Sequence, residues 1–124
     1  MAQLSLVFGA LGGMFAVAFG AFGAHAMRAR LDDYSLRIFE TAVQYQFYHS
    51  LALLAVALLL QRFPSSNLLQ ASVWLFLSGI LIFSGSLYIL SLTGQRWLGA
   101  VTPIGGLALV AAWGCLAAAA WKLL

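Results

Sequence analysis

Nine charged side chains, six basic and three acidic, leave four stretches of this 124-residue chain without charge: 1–27, 41–61, 63–95 and 97–121. Each is at least as long as the ~20 residues with which a helix crosses about 30 Å of hydrocarbon. A soluble domain carries roughly 25% charged residues. Here only 7% are charged and 64% are hydrophobic, with a mean hydropathy of +1.00. A globular cytosolic protein is therefore excluded. In lipid every backbone polar group must be satisfied within its own segment, so the charge-free stretches are expected to be helices. The expected fold is all-α: a single membrane domain over residues 1–124, built as an integral-membrane, up-down four-helix bundle. Its helices should lie at about 3–27, 33–62, 68–92 and 97–123. Little chain is left for an extramembrane domain, so function must reside in the spans or their short connections.

Local signals place the ends. Asp32 or Asp33 can cap the second helix and favour its dipole, and Arg62-Phe63-Pro64-Ser65-Ser66-Asn67 is a turn with breaker chemistry. The fourth helix has two readings. Either Thr102 caps it and Pro103 occupies its first turn, where the missing N–H is harmless, or it begins near Trp97 and Pro103 acts as a hinge. The first is preferred. Ala24-His25-Ala26 matches a small-x-small cleavage pattern, but no Lys or Arg precedes the long apolar run, so the first helix is expected to be retained. The connections after helices 1 and 3 hold Arg28, Arg30, Arg37 and Arg96, against Arg62 and Lys122 at the other end. The positive-inside rule then places both termini outside and the first and third connections in the cytoplasm.

Two features could carry function. Gly9, Gly13, Ala16, Gly20 and Gly23 fall on one face of helix 1, the small-residue pattern by which transmembrane helices pack closely. Helix packing is assigned to Gly9, Gly13, Gly20 and Gly23, and self-association through this face is expected. The second feature is Glu40–His49, a carboxylate, two amides, two phenols and an imidazole at the mouth of an apolar span. Glu40 and Gln44 are i, i+4 neighbours, as are Gln44 and Tyr48. His49 lies about 13 Å beyond Glu40 along the helix, where an imidazole should face inward. A candidate polar or ligand site is therefore drawn from Glu40, Gln44, Tyr48, His49, Ser84 and His25.

A haem or metal site would need His25 and His49 at one depth, yet His25 falls near the surface. One cysteine, Cys115, adds no ligand set, so no metal and no cofactor is assigned. The glycine-rich pieces lack the strand-loop-helix context and the lysine of a phosphate cradle. Ser84-Gly85-Ser86 has no strand before it and no acid–His pair to serve a nucleophile, so no catalytic residue is assigned. Scattered basic residues give no nucleic-acid patch. The leading expectation is a non-enzymatic membrane scaffold or interaction protein. Its expected partners are lipids, further copies of itself and other membrane proteins. The alternative is a conduit or binding site for a proton, small polar solute or lipid, lined by helix 2.

Four ordered motifs, Phe22–Ala26 (FGAHA), Glu40–His49 (ETAVQYQFYH), Phe83–Tyr88 (FSGSLY) and Arg96–Gly106 (RWLGAVTPIGG), resemble a family of small membrane proteins known as domain of unknown function 423. That family includes relatives of the eukaryotic transmembrane protein 256. The resemblance covers nearly the whole chain. It implies a multi-pass membrane protein of four helices, in bacteria a plasma-membrane one, and implies no activity or catalytic residue.

Overall fold

The computed structural model describes residues 1–124 apart from the side chain of Ala24. Helix α1 covers Ala2–Arg28, α2 Asp33–Arg62, α3 Asn67–Thr93 and α4 Thr102–Leu123. The shortest, α4, has 22 residues and at 1.5 Å each reaches about 33 Å, enough to cross the hydrocarbon. The chain is an all-α integral membrane protein with four spans in up-down order. No strand forms among the described residues.

The helix ends are set by short polar side chains. Asp32 caps α2, its carboxylate accepting from the Ser35 N–H at 2.7 Å. Ser66 caps α3 in the same way through the Leu69 N–H at 3.3 Å. Gly94 closes α3 in the left-handed region, φ +72°, where its N–H reaches the Leu90 carbonyl at 2.8 Å. A side chain would be strained there.

The start of α4 differs from the expected cap. A 3₁₀ turn, Arg96–Ala100, runs almost directly into the helix, and Val101 holds the cap position with helical dihedrals. Thr102 does not cap. Its hydroxyl donates back to the Leu98 carbonyl at 3.2 Å and lies 2.6 Å from the Ser86 hydroxyl of α3. Pro103 sits in the first turn, where no donor is lost.

The major interfaces keep chain order: α1 on α2, α2 on α3, and α3 on α4. Among the described residues no comparable α1–α4 interface closes the ring. The α2–α3 hairpin is the centre of the protein, and its outer partners lie on different sides of it. Its core joins Leu53, Val56 and Leu60 of α2 to Leu69, Val73 and Phe76 of α3, with Leu109 and Ala112 of α4 packed on them. A smaller cluster of Ala42, Leu87, Leu90 and Leu98 lies toward the other end. Because lipid is as apolar as leucine, such contacts stabilise by close packing rather than by escape from water. The α3–α4 contact shows how close it is. A Cβ added at Gly105 would stand 2.8 Å from the Phe83 Cα, and one at Gly79 2.7 Å from the Leu109 Cγ.

On α1, the π-helical turn Phe19–Gly23 adds a residue to one turn and shifts the register of the last turns of the helix. Gly20 and Gly23 still meet α2, the first beside Val43 and the second against the Phe39 ring.

Candidate functional site

The polar run of α2 divides between two faces. Ala42, Gln46, His49, Ser50 and Leu53 recur at helical spacing and are all buried. On this inner face Gln46 ties three helices together. Its Nε2 donates to the Gly12 carbonyl of α1 at 2.8 Å, and its Oε1 accepts from the Tyr88 hydroxyl of α3 at 2.7 Å. The Ser5 hydroxyl donates to the Leu53 carbonyl at 2.7 Å and the Ser84 hydroxyl to the Ala42 carbonyl at 2.8 Å. Among the described residues no buried side-chain nitrogen or oxygen is left without a partner. Such complete pairing is what hydrocarbon demands of polar groups.

His49 lies on this face. Its Nδ1 is 2.6 Å from the Tyr45 carbonyl. A carbonyl only accepts, so Nδ1 carries the proton. The ring packs beside Tyr45, Phe76 and Trp113, with centroids 5.7, 5.8 and 6.0 Å away.

Glu40, Gln44 and Tyr48 are exposed on the opposite face. The structure therefore separates them from His49 and Ser84 rather than collecting all five around one path. His25 is exposed in the last turns of α1. No group of three His, Cys, Asp or Glu side chains among the described residues is placed to hold a metal.

The depths of the exposed three matter. With α2 about 45 Å long and centred on about 30 Å of hydrocarbon, Glu40 falls roughly 3 Å inside the border, Gln44 roughly 9 Å and Tyr48 near the midplane. Tyr48 is 54% exposed.

The glycine stripe of α1 is turned largely toward α2. A Cβ at Gly9 would stand 2.9 Å from the Ser50 carbonyl oxygen, and one at Gly20 3.3 Å from Val43, whereas nothing lies within 4 Å at Gly13. Gly12 takes the close position beside Ser50 instead. The face expected to mediate self-association thus lies mostly inside the chain.

Between α1 and α3, with Gln46 and Leu53 of α2 as its floor, an apolar cleft of about 880 Å³ opens sideways. No residue of α4 lines it.

Sequence reasoning missed Gln46 and Tyr88 as the central pair. Helical spacing from His49 (i−3) could have selected Gln46, since the two share a face. Tyr88 carries no comparable signal, because its partner lies 42 positions away.

Comparison with known proteins agrees with this architecture. The family described as a protein of unknown function (DUF423) matches residues 19–106. The chain is 42% identical over 122 residues to the UPF0382 membrane protein YwdK of Bacillus subtilis, an alignment covering 98% of this chain and 99% of that protein. It is 44% identical over 120 residues to the UPF0382 membrane protein SAB0533 of Staphylococcus aureus, covering 97% of each. It is 38% identical over 121 residues to the UPF0382 inner membrane protein YgdD of Escherichia coli, covering 98% of this chain and 92% of that protein. No solved structure matches the chain. With the four motifs, the four spans and these relatives in agreement, the chain belongs to the DUF423 family of membrane proteins.

Proposed function

We propose that the protein is a non-enzymatic interaction protein of the bacterial inner membrane, and that it assembles with further copies of itself through the outer face of α2. The observation that carries this reading is the exposed stripe Glu40, Gln44 and Tyr48, which a centred α2 carries from just inside the hydrocarbon border to about the midplane. Polar side chains at such depth are expensive against lipid and are stabilised when another helix supplies partners. Gln44 and Tyr48 of the stripe are also self-complementary. An amide and a phenol each donate and accept, so in a two-fold dimer Gln44 can pair with its own copy at the same depth, as can Tyr48. The buried polar groups, by contrast, are engaged within the chain, which favours a lock on helix register over a conduit. The charge distribution orients the assembly with both termini outside.

Cysteine crosslinking in native membranes tests the reading. In a Cys115→Ala background, Gln44→Cys should give an oxidant-dependent dimer in good yield. Val110→Cys, on the exposed face of α4, should give little. Equal yields at the two positions, or a dimer only at Val110, would sink the proposal.

A further inference from the structure

We propose that the cleft between α1 and α3 is a binding site for the acyl tails of one phospholipid, held by the protein rather than exchanging with the bulk bilayer. This inference does not depend on the α2 stripe, which lies on another face.

The cleft runs along the helices. On α1 it extends from Leu4 to Phe19 and on α3 from Trp74 to Tyr88, about 22 Å at 1.5 Å per residue. Spread over that length, about 880 Å³ corresponds to a channel roughly 7 Å across for atom centres, or about 10 Å between its walls once a radius of about 1.4 Å is added on each side. An extended hydrocarbon chain, about 4 Å across at van der Waals contact, fits singly with room for a second beside it.

The walls point the same way. Phe8, Phe15, Trp74 and Leu81 line the cleft and are all strongly exposed, Leu81 at 74%. Helices associate in membranes through small residues that let backbones approach, and rims of this bulk keep a second helix away. The lining surface also falls far short of the ~800 Å² per partner that a stable protein interface buries. No charged residue lines the cleft, so it offers nothing to an ion.

Depth selects the leaflet. With α1 centred in the bilayer, Leu4 lies at the hydrocarbon border on the side of the chain termini, and Phe19 about 5 Å past the midplane. There the channel is closed by rings: Tyr88 meets Phe19 and Phe39 with centroids 5.4 Å away in each case. The Tyr88 hydroxyl is already engaged by Gln46, so the closed end presents ring carbon. The cleft thus reaches the headgroup border on the side of the chain termini and is closed by rings at its other end, in the far half of the membrane, a shape that a tail entering from the terminal side can follow.

Native mass spectrometry of protein released from nanodiscs of palmitoyl-oleoyl-phosphatidylglycerol provides the test. One lipid per chain should remain at collision energies that strip the surrounding lipids. Gly85 lines the cleft with nothing within 4 Å of an added Cβ, so Gly85→Phe fills the channel and should lower the retained fraction at least five-fold. Gly114 is equally open but lies on α4, away from the cleft, and Gly114→Phe should retain lipid as the parent does. Unchanged retention in a folded Gly85→Phe variant, or retention of a second chain in place of lipid, would overturn the proposal.

A second readout leaves the cleft intact. In a protein whose only tryptophan is Trp74 (Trp97, Trp113 and Trp121 each →Phe), brominated tails of the same lipid should quench fluorescence along a saturating curve, half complete at low mole fraction. Quenching that rises only in proportion to mole fraction would mean bulk contact and would equally refute a held lipid.

Discussion

Gly105→Ala and Gly114→Ala add the same methyl group to the same helix and are expected to act in opposite directions. At Gly114 nothing lies within 4 Å of the new Cβ, so only helix propensity remains, roughly 0.8–1 kcal/mol in favour of alanine. At Gly105 the Cβ would stand 2.8 Å from the Phe83 Cα and 2.9 Å from its Cβ, against ordinary contact at about 3.5–4.0 Å. Backbone of α3 cannot rotate aside, so α4 must move outward. That displacement strains the Ser86–Thr102 hydrogen bond and loosens the Gly79–Leu109 contact. Overpacking of this kind costs about 1–3 kcal/mol. With rigid backbone as the obstacle the upper end applies, and the propensity gain reduces it to a net loss of about 2 kcal/mol. The two variants should then differ by about 3 kcal/mol, more than a hundredfold in the unfolding equilibrium. Reversible unfolding in mixed micelles, titrated with dodecyl sulfate and monitored by circular dichroism, measures this difference. If Gly105→Ala proved as stable as Gly114→Ala, the described α3–α4 contact would be wrong.

Three further outcomes are expected. A double-mutant cycle of Gln46→Leu and Tyr88→Phe should show coupling of about 0.6 kcal/mol, and up to about 1.7, the range for hydrogen bonds between membrane helices; a coupling of zero would mean that the two side chains do not bond. The Ser35 backbone N–H holds the Asp32 carboxyl below its ordinary value of 3.8. A depressed folded-state value means that the cap stabilises fully above the unfolded-state value and is lost as pH falls below about 4 through the lower folded-state value. The stability difference between the parent and Asp32→Ala should narrow over that window, and a difference that did not fall with pH would refute the assignment. Single cysteines at Ser65 and Ala29 should react oppositely with an impermeant maleimide in intact cells, Ser65→Cys being labelled and Ala29→Cys protected; the reverse pattern would invert the orientation drawn from the arginines.

The spans were legible because charge is the one property that lipid does not tolerate cheaply, and nine charged residues mark the boundaries. Asp32 and Ser66 were readable for a related reason: a short polar side chain before an apolar run has few other roles. Which face of each helix points inward was much harder to read. Leu53 is fully buried and Leu58 is 64% exposed, yet in a bilayer both neighbourhoods suit leucine, so no apolar–polar alternation separates them. Helical spacing does show that Glu40–His49 wraps more than one face, but not which of those faces turns inward. Thr102 misled because its hydroxyl had two uses, and the contact with Ser86 depends on how α3 and α4 pack, which one helix alone does not reveal. The cleft was invisible for a further reason: it arises from the spacing between helices, and no residue marks it.

The order of the interfaces has a consequence for how the protein is made. Each major helix–helix contact joins a segment to the one synthesised just before it. A span entering the bilayer therefore finds its principal partner already there. Low sequence separation between contacting elements favours fast folding, since little loop entropy is lost before contacts form. The Gln46 bonds illustrate the sequence of events. Its link to Gly12 can form once the second span has inserted, while its bond to Tyr88 must wait for the third. Assembly can then proceed as a series of hairpin closures, each locking the register of the span before it, with α4 last and bound almost wholly through α3.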